Sequence, residues 1–354
     1  MIRWRETARE AWRNVASGTT HAVRWTIVLG VILAVLAWLD TSTVRTLVDD
    51  TAAYVTQGGA TWIVEAPQSI DGRACDALSE AEGVLVSGAI RGEQTGLTTA
   101  VLPRAPIPLY SVTAGFMSLI SSTSPTGVVV SDQVAARYGM TAPATLTTTV
   151  GEVSIGGTYP YPDDGRRSGL GFAALEPTIV DQVFDECWMT VWPSDEQTTI
   201  LLYTSVIPGS AAQQNIKLAQ LNPKFASSLN ATTSYNNRLT RWAPVAAVVV
   251  GLVVGFAATW MRRLEHASAL HTGIPRIFVL VTTLQETLAW TLAAAVLCLP
   301  VVALTAYPSV ADTSHVALVG FRALLAGAVG PFFGASLACA AIREKHLFNI
   351  FKNR

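Results

Sequence analysis

Residues 241–276 read RWAPVAAVVVGLVVGFAATWMRRLEHASALHTGIPR and decide the fold. The apolar run 242–261 carries no charge and has the length that an α-helix needs to cross a bilayer. A compact charged segment, 262–276, follows and contains the helix-breaking triplet 273–275 (Gly-Ile-Pro) before the next apolar run begins. The pattern predicts two membrane helices joined by a short polar helix over 264–272.

The composition of the whole chain indicates a membrane protein. Half of its 354 residues are apolar, 14% are charged and the mean hydropathy is +0.38, which is too apolar for a soluble protein of this length. Four windows qualify as spans: 25–39, 242–261, 277–307 and 316–342. A cleaved signal peptide is the alternative for the first window, but the lead before it is long and no clear small-residue cleavage site follows. We therefore expect four transmembrane helices.

Basic residues predict the orientation of these spans. Twelve Lys and Arg residues lie in three short segments, 1–24, 262–276 and 343–354, beside only four acidic residues. The long segment 40–241 has the opposite balance, with 11 basic against 19 acidic residues. We expect a multi-pass protein of the plasma membrane with both termini cytoplasmic and 40–241 folded as one extracytoplasmic domain. Because no basic cluster exists away from the lipid-flanking positions, no nucleic-acid partner is expected.

The segment 1–24 predicts an amphipathic helix that lies in the membrane interface. One face carries Trp4, Ala8, Trp12 and Val15, and another carries Arg5, Arg9 and Arg13. An ordinary cytosolic helix is the alternative. Two tryptophans among three arginines next to a span favour contact with the lipid bilayer.

The segment 40–241 predicts a mixed α and β domain that is large enough for its own core. Strands are predicted at 61–65, 84–90, 127–131, 144–155, 187–192 and 198–204. Helices are predicted at 43–56, 74–81, 132–138 and 211–221, and a loop at 156–171. Residues 43–56 and 224–241 are expected to extend the first two spans outward as helices. The expected fold class is an α-helical membrane protein with four transmembrane helices plus a mixed α+β extracytoplasmic domain.

The four cysteines divide between the two regions. Cys298 and Cys339 lie inside predicted spans, whereas Cys75 and Cys187 lie in the predicted extracytoplasmic domain. In an oxidising compartment the latter pair could form one disulfide, or they could be two free buried thiols. The sequence leaves both alternatives open.

Motifs of soluble-enzyme chemistry are absent from the sequence. It has no Walker Gly-x-x-x-x-Gly-Lys, no Gly-x-Ser-x-Gly, no His-Glu-x-x-His and no Cys-x-x-Cys. His266 and His271 are five residues apart and would not share a helix face as metal ligands do. We therefore predict no enzyme activity, no metal site and no cofactor in this chain. Haem export has no ligand signature to support it.

Two charges and four glycines stand out within the predicted spans. Glu286 and Arg322 could form an ion pair across two spans, or Glu286 could bond to the segment 262–276 while Arg322 extends to the outer interface. Gly251-x-x-x-Gly255 and Gly330-x-x-x-Gly334 predict close helix packing, either within one chain or between two copies. Four spans are too few to line a path for a large substrate, so a homodimer is expected.

The stretch Arg262-Arg263-Leu264-Glu265, with Gly273 and Glu286 after it, resembles the signature of the MacB/FtsX-type permeases of ABC transporters. Residues 127–139 (GVVVSDQVAARYG) and the Thr-rich strand after them also look like the external domain of that family. The topology is similar, with one large domain between the first two spans. The chain departs from the pattern around the glycine, where 271–272 (His-Thr) precede it and 274–275 (Ile-Pro) follow it.

The resemblance implies a permease subunit that couples ATP hydrolysis by a separate subunit to motion of the extracytoplasmic domain. Two copies of an ABC ATPase, which bind ATP and Mg²⁺, would dock on the segment 262–276. The assembled transporter would export an amphipathic compound, peptide or lipid. The implied coupling residues are Arg262, Arg263, Glu265, His266, His271 and Gly273. Glu265, His266 and His271 are expected to face the cytosol. The alternative is an FtsX-like transmembrane regulator of a cell-wall hydrolase.

Overall fold

The computed structural model describes residues 4–122, 127–193, 199–209, 216–225, 231–307 and 313–342. The predicted cytoplasmic tail 343–354 lies outside the described residues. The chain divides into two compact units. Met1–Asp50 with Ala231–Arg354 forms one, here called the helix unit, and Thr51–Asn230 forms the other, here called the sheet unit.

The helices and strands are numbered in chain order. The helices are α1 (Trp4–Ala16), α2 (Ala22–Thr56), α3 (Gly72–Ala77), α4 (Ala114–Leu119), α5 (Asp132–Tyr138), α6 (Ala231–Asn237), α7 (Ala243–Met261), α8 (Arg263–His271), α9 (Arg276–Ala306) and α10 (Thr313–Ala341). The strands are β1 (Thr61–Asp71), β2 (Val84–Gly92), β3 (Leu109–Val112), β4 (Val128–Ser131), β5 (Ala144–Thr147), β6 (Glu152–Tyr159), β7 (Ala174–Pro177), β8 (Val183–Val191) and β9 (Lys217–Gln220).

Four helical stretches among the described residues are long and apolar enough to cross a membrane. They are Ala22–Thr56, Leu239–Met261, Arg276–Ala306 and Thr313–Ala341. The first is longer than the predicted window 25–39, because α2 runs on without a break through residues 43–56. Its last six residues belong to the sheet unit.

The predicted continuous helix 224–241 is wrong. Helix α6 ends at Asn237, and Arg238 has extended backbone with a ψ of 136° before a 3₁₀ turn (Leu239–Trp242) leads into α7. At this break, Arg238 Nε donates a hydrogen bond to the Asp40 carboxylate.

Helices α7 and α10 pack backbone against backbone through the four glycines. A Cβ added at Gly334 would lie 2.6 Å from the Phe256 amide nitrogen, and one at Gly251 would lie 2.6 Å from the Gly327 carbonyl oxygen. Cβ atoms added at Gly255 and Gly330 would meet the backbone of the opposite helix just as closely. The small-residue spacing therefore serves packing within one chain, because side chains of any size would hold the two helices apart.

Apolar side chains from α2, α7, α9 and α10 form the core of the helix unit. Leu29 and Leu33 of α2 are fully buried, as is Ala294 of α9, which faces Gly30. The opposite faces of the same helices expose large aliphatic side chains, including Val249, Leu292 and Leu325. Buried small residues and exposed large ones are the pattern of helices whose outer surface contacts lipid.

The sheet unit is built on one sheet of nine strands among its described residues, in the order β5-β6-β4-β7-β3-β2-β8-β1-β9. The pairs β3–β7 and β4–β6 are parallel, and the other neighbours are antiparallel. Cys75 of α3 and Cys187 of β8 form a disulfide, with their Cα atoms 5.8 Å apart. Of the two alternatives for these cysteines, the structure has the bonded one.

Four predicted elements of the sheet unit differ from the structure. The predicted strand 144–155 is a hairpin of β5 and β6, whose turn is closed by a 2.6 Å hydrogen bond from the Thr148 hydroxyl to the Gly151 carbonyl oxygen. The described part of the predicted strand 198–204 is helical. In the predicted helix 211–221, residues 217–220 are instead the edge strand β9, because pairing with β1 outweighs local helix propensity. The predicted loop 156–171 begins late, since β6 continues to Tyr159.

Candidate functional site

The short helix α8 has clear boundaries at both ends. Arg262 ends α7 and also precedes the first turn of α8. Gly273 ends α8 in the left-handed region, at φ +88°, and its amide donates to the Leu270 carbonyl oxygen at 3.1 Å. A backbone position at positive φ favours glycine, because a residue with a side chain is strained in that conformation. Pro275 then begins α9.

Five polar residues meet where α8 joins the long helices. Asn14 comes from α1, Arg262, Glu265 and His266 from the α7–α8 connection and α8, and Glu286 from α9. They are called the junction cluster below. Sequence reasoning identified four of its members and missed Asn14, which has no distinguishing signal in the sequence.

Glu286 is the centre of the junction cluster. Its side chain is 5% exposed, and both carboxylate oxygens have a partner. Oε2 accepts from Arg262 Nη1 at 2.5 Å, and Oε1 accepts from Asn14 Nδ2 at 2.6 Å. Arg262 Nε also donates to Glu265 Oε2 at 2.8 Å. A buried carboxylate is tolerated because a guanidinium and an amide replace its hydration.

The junction cluster connects α8 to two other helices. Arg262 joins it to α9 through Glu286, and Asn14 joins the same carboxylate to α1. The buried face of α1 consists of Thr7 and Ala11, while Trp4 and Trp12 are 66% and 71% exposed. The tryptophans that are predicted to contact lipid are therefore exposed, as that prediction requires.

His266 does not face solvent, and the prediction that it does is wrong. It is 8% exposed, and it lines a cleft together with Arg262 and Glu286. Burial, with the nearby Arg262 guanidinium adding to it and Glu265 opposing it, lowers the pKa of His266 to about 4. The ring is therefore neutral at pH 7, and its Nε2 has no hydrogen-bond partner among the described residues.

The other predicted coupling residues lie on the outer side of α8. The Glu265 side chain is 56% exposed, and His271 and Gly273 are also exposed. Arg263 is half-buried, with its guanidinium carbon 5.7 Å from the centre of the Trp260 ring. Arg262 therefore stabilises the base of α8, whereas Glu265 and His271 form the surface that a partner could reach.

A cleft of about 430 Å³ adjoins the junction cluster. Its polar wall includes Glu10, Glu265 and His266, and its apolar wall includes Ile274 and Phe278. A cleft with one polar and one apolar wall beside an exposed helix suits the side chains of a protein partner. Among the described residues no group of three His, Cys, Asp or Glu side chains is arranged to bind a metal ion.

A second buried ion pair lies in the helix unit, and sequence reasoning missed it. Asp40 is fully buried and accepts from Arg238 Nε at 3.3 Å, and the Arg238 side chain is only 4% exposed. Arg238 also donates to the Tyr235 carbonyl oxygen at 2.7 Å and lies 3.8 Å from the centre of that ring. The two residues are 198 positions apart, so no local pattern could pair them.

Glu286 and Arg322 do not pair with each other. Glu286 bonds within the junction cluster, while the Arg322 side chain is 53% exposed and places Nη2 4.0 Å from Asp40 Oδ2. Of the two arrangements considered for these charges, the cross-span ion pair is therefore the one the structure does not form.

Comparisons with known proteins give a limited result. No protein-family model and no curated protein matches this chain. The periplasmic region of MacB from Actinobacillus actinomycetemcomitans is similar in structure, with 10% identity and a TM-score of 0.33 over 46% of this chain and 89% of that one. The extracellular domain of the noncanonic ABC-type transporter YknZ from Gram-positive bacteria has 14% identity and a TM-score of 0.28 over 40% of this chain and 92% of that one. At these scores neither likeness assigns a role to any residue here.

Proposed function

We propose that this chain is the permease subunit of an ABC transporter, with ATP hydrolysed by a separate subunit that docks on α8. The junction cluster is the observation that carries the proposal. It fixes α8, a short exposed helix between two apolar spans, to α9 through Arg262 and Glu286 and to α1 through Asn14. A force applied to α8 would pass to both helices, because buried charge-assisted hydrogen bonds resist separation.

The docking surface in this proposal is the outer side of α8 with the adjoining cleft. Glu265 and Ser268 are exposed there, and the cleft can receive side chains from a partner. The pattern in the sequence that resembles the MacB/FtsX-type permeases includes Arg263 and Glu265 of this helix, Arg262 and Gly273 that flank it, and Glu286 of α9. The partner ATPase would bind ATP and Mg²⁺, and two permease copies would pair with two ATPase copies.

The topology in this proposal places α8 and both termini in the cytosol and the sheet unit outside the plasma membrane. The distribution of Lys and Arg supports this orientation. The Cys75–Cys187 disulfide also supports it, because such bonds persist mainly in oxidising compartments. We propose that the transporter exports or extrudes an amphipathic compound, peptide or lipid.

Co-purification with the partner ATPase tests the proposal. Ser268→Arg changes an exposed position of α8 and leaves the hydrogen bonds of Glu286 with Arg262 and Asn14 in place. We expect it to abolish both co-purification and any stimulation of ATPase turnover, while the charge reversal Glu152→Arg at the exposed first residue of β6 should change neither. Assembly unaffected by Ser268→Arg would contradict docking on α8. Turnover raised by an extracytoplasmic protein and by no small compound would favour the regulator of a cell-wall hydrolase.

A further inference from the structure

A cavity of about 230 Å³ lies on the sheet unit, among side chains that the junction site does not use. Three strands and one loop contribute to it. Its charged and aromatic lining residues are Tyr110, Tyr161, Arg167, Asp185, Glu186 and Trp188.

The charges around this cavity do not balance. Arg167 pairs with Glu186 of the lining at 2.9 Å and with Glu65, outside the lining, at 2.8 Å. Asp185 is the second carboxylate of the lining. Arg167 is the one cation among the residues that line the cavity. The nearby Arg91 already pairs with Glu93 at 2.8 Å. Among the lining residues, two carboxylates against one guanidinium leave an excess of negative charge.

The carboxylates are held in place before any ligand arrives. Asp185 accepts from the backbone amides of Gln68 at 2.9 Å and Gly92 at 3.2 Å. Glu186 accepts from the indole Nε1 of Trp188 at 2.8 Å. Glu186 Oε2 also accepts from Arg167 Nη1 at 3.1 Å, which uses both of its lone pairs. Glu186 Oε1 and the two Asp185 oxygens each have one of these partners, so both groups can accept a further donor. Fixed acceptors lower the cost of ordering the site on binding.

The loop that closes the cavity is also held in place. The Tyr161 hydroxyl donates to the Arg167 carbonyl oxygen at 2.6 Å.

Burial raises the pKa of Glu186, and the hydrogen bond from Trp188 and the Arg167 charge act in the opposite direction. A cation in the cavity would add to that opposing effect. The rings of Tyr110 and Tyr161 are partly buried beside the carboxylates and provide apolar and π surface.

We propose that this cavity binds the ammonium group of a small amphipathic ligand, with Asp185 and Glu186 as acceptors and the aromatic side chains against its apolar part. A volume of about 230 Å³ is below that of a typical drug-sized site, so the ligand or the bound head group is small. Binding of this kind does not depend on the permease role, since a transported compound and a regulatory ligand would both use it.

Titration of the purified full chain in lipid nanodiscs tests the proposal without the ATPase. Phenethylamine serves as the cationic probe, 2-phenylethanol as its neutral counterpart and 3-phenylpropanoate as an anionic one, with calorimetry and tryptophan fluorescence as readouts. We expect saturable binding of the amine and at least tenfold weaker binding of the other two. Equal binding of the amine and the alcohol, preference for the anion, or no binding of the amine would overturn the proposal.

A charge-neutral variant gives the second arm of the test. Glu186→Gln retains an oxygen for the Trp188 indole and removes the charge, so we expect at least tenfold weaker binding of phenethylamine. Glu152→Gln removes one exposed charge from β6, which is the second strand from the β5 edge of the sheet and does not line the cavity. It should leave the affinity unchanged. An unchanged affinity in a folded Glu186→Gln protein would overturn the proposal. If that variant does not fold, the comparison of the three probes on the unmodified chain decides.

Discussion

The contact between α7 and α10 predicts opposite effects for the same substitution at two glycines. Gly334→Ala places a methyl group 2.6 Å from the Phe256 amide nitrogen and against the Leu252 carbonyl. Gly30→Ala, in α2, places one 3.8 Å from the Ala294 Cβ, which is an ordinary contact. Both glycines lie inside long apolar helices without positive φ, so the difference in packing is isolated.

The magnitude follows from packing and helix propensity. Overpacking costs about 1–3 kcal/mol, and the upper part of that range applies to Gly334 because its neighbours are backbone atoms that have no rotamer to change. Replacement of Gly by Ala within a helix contributes up to about 1 kcal/mol in the other direction. The net loss at Gly334 is therefore about 2 kcal/mol. A unit of this size loses about 2–4 °C in Tm per kcal/mol, so a fall of about 4–8 °C is expected.

The assay is apparent Tm in one fixed detergent, read from the monodisperse peak that remains after heating. Gly30→Ala is the matched control and should match or exceed the unmodified chain by a few degrees. If Gly334→Ala is as stable as Gly30→Ala, the close backbone contact between α7 and α10 is wrong.

Two further predictions concern the junction cluster. Arg262→Met leaves the Glu286 carboxylate buried without its cation, so we expect a loss of about 3–5 kcal/mol, seen as a collapse of yield and apparent Tm. Arg263→Met removes a guanidinium that lies against the Trp260 ring and outside the junction cluster, so it should retain both. Burial lowers the pKa of His266 from the 6.5 of a solvated histidine to about 4. Stability from its neutral form is therefore fully present above pH 6.5 and is lost as the pH falls toward 4, by roughly 3 kcal/mol at most. The decrease in apparent Tm from pH 7 to pH 5 should be smaller in His266→Gln than in the unmodified chain. An equal decrease in both proteins would refute this role.

Local sequence patterns predicted much of the architecture. Long apolar runs located the four candidate spans, because a helix of that length and composition has few soluble alternatives. Helix α5 begins and ends where predicted, since Ser131 accepts from the Val134 amide at its start and Gly139 takes a φ of +61° at its end. Both signals lie within a few residues of the helix they delimit.

Features that depend on distant partners could not be predicted in the same way. Asn14 bonds to Glu286, which is 272 positions away in the chain. Asp40 pairs with Arg238, which is 198 positions away. His266 was expected to face the cytosol, but it is buried on the side of α8 that lines a cleft with Asn14 and Glu286. Such residues are identified only once the helices are placed side by side.

The inward direction of the four glycines has a consequence for any second copy of the chain. Their close-contact surface is already occupied by the chain's own helix, so two copies in a bilayer would meet through Val, Leu and Phe side chains such as Val249 and Phe333. Acyl chains solvate those side chains nearly as well as a protein neighbour does. Self-association would then respond strongly to acyl-chain length and to the choice of detergent, and solubilisation could separate copies that adjoin in the native membrane.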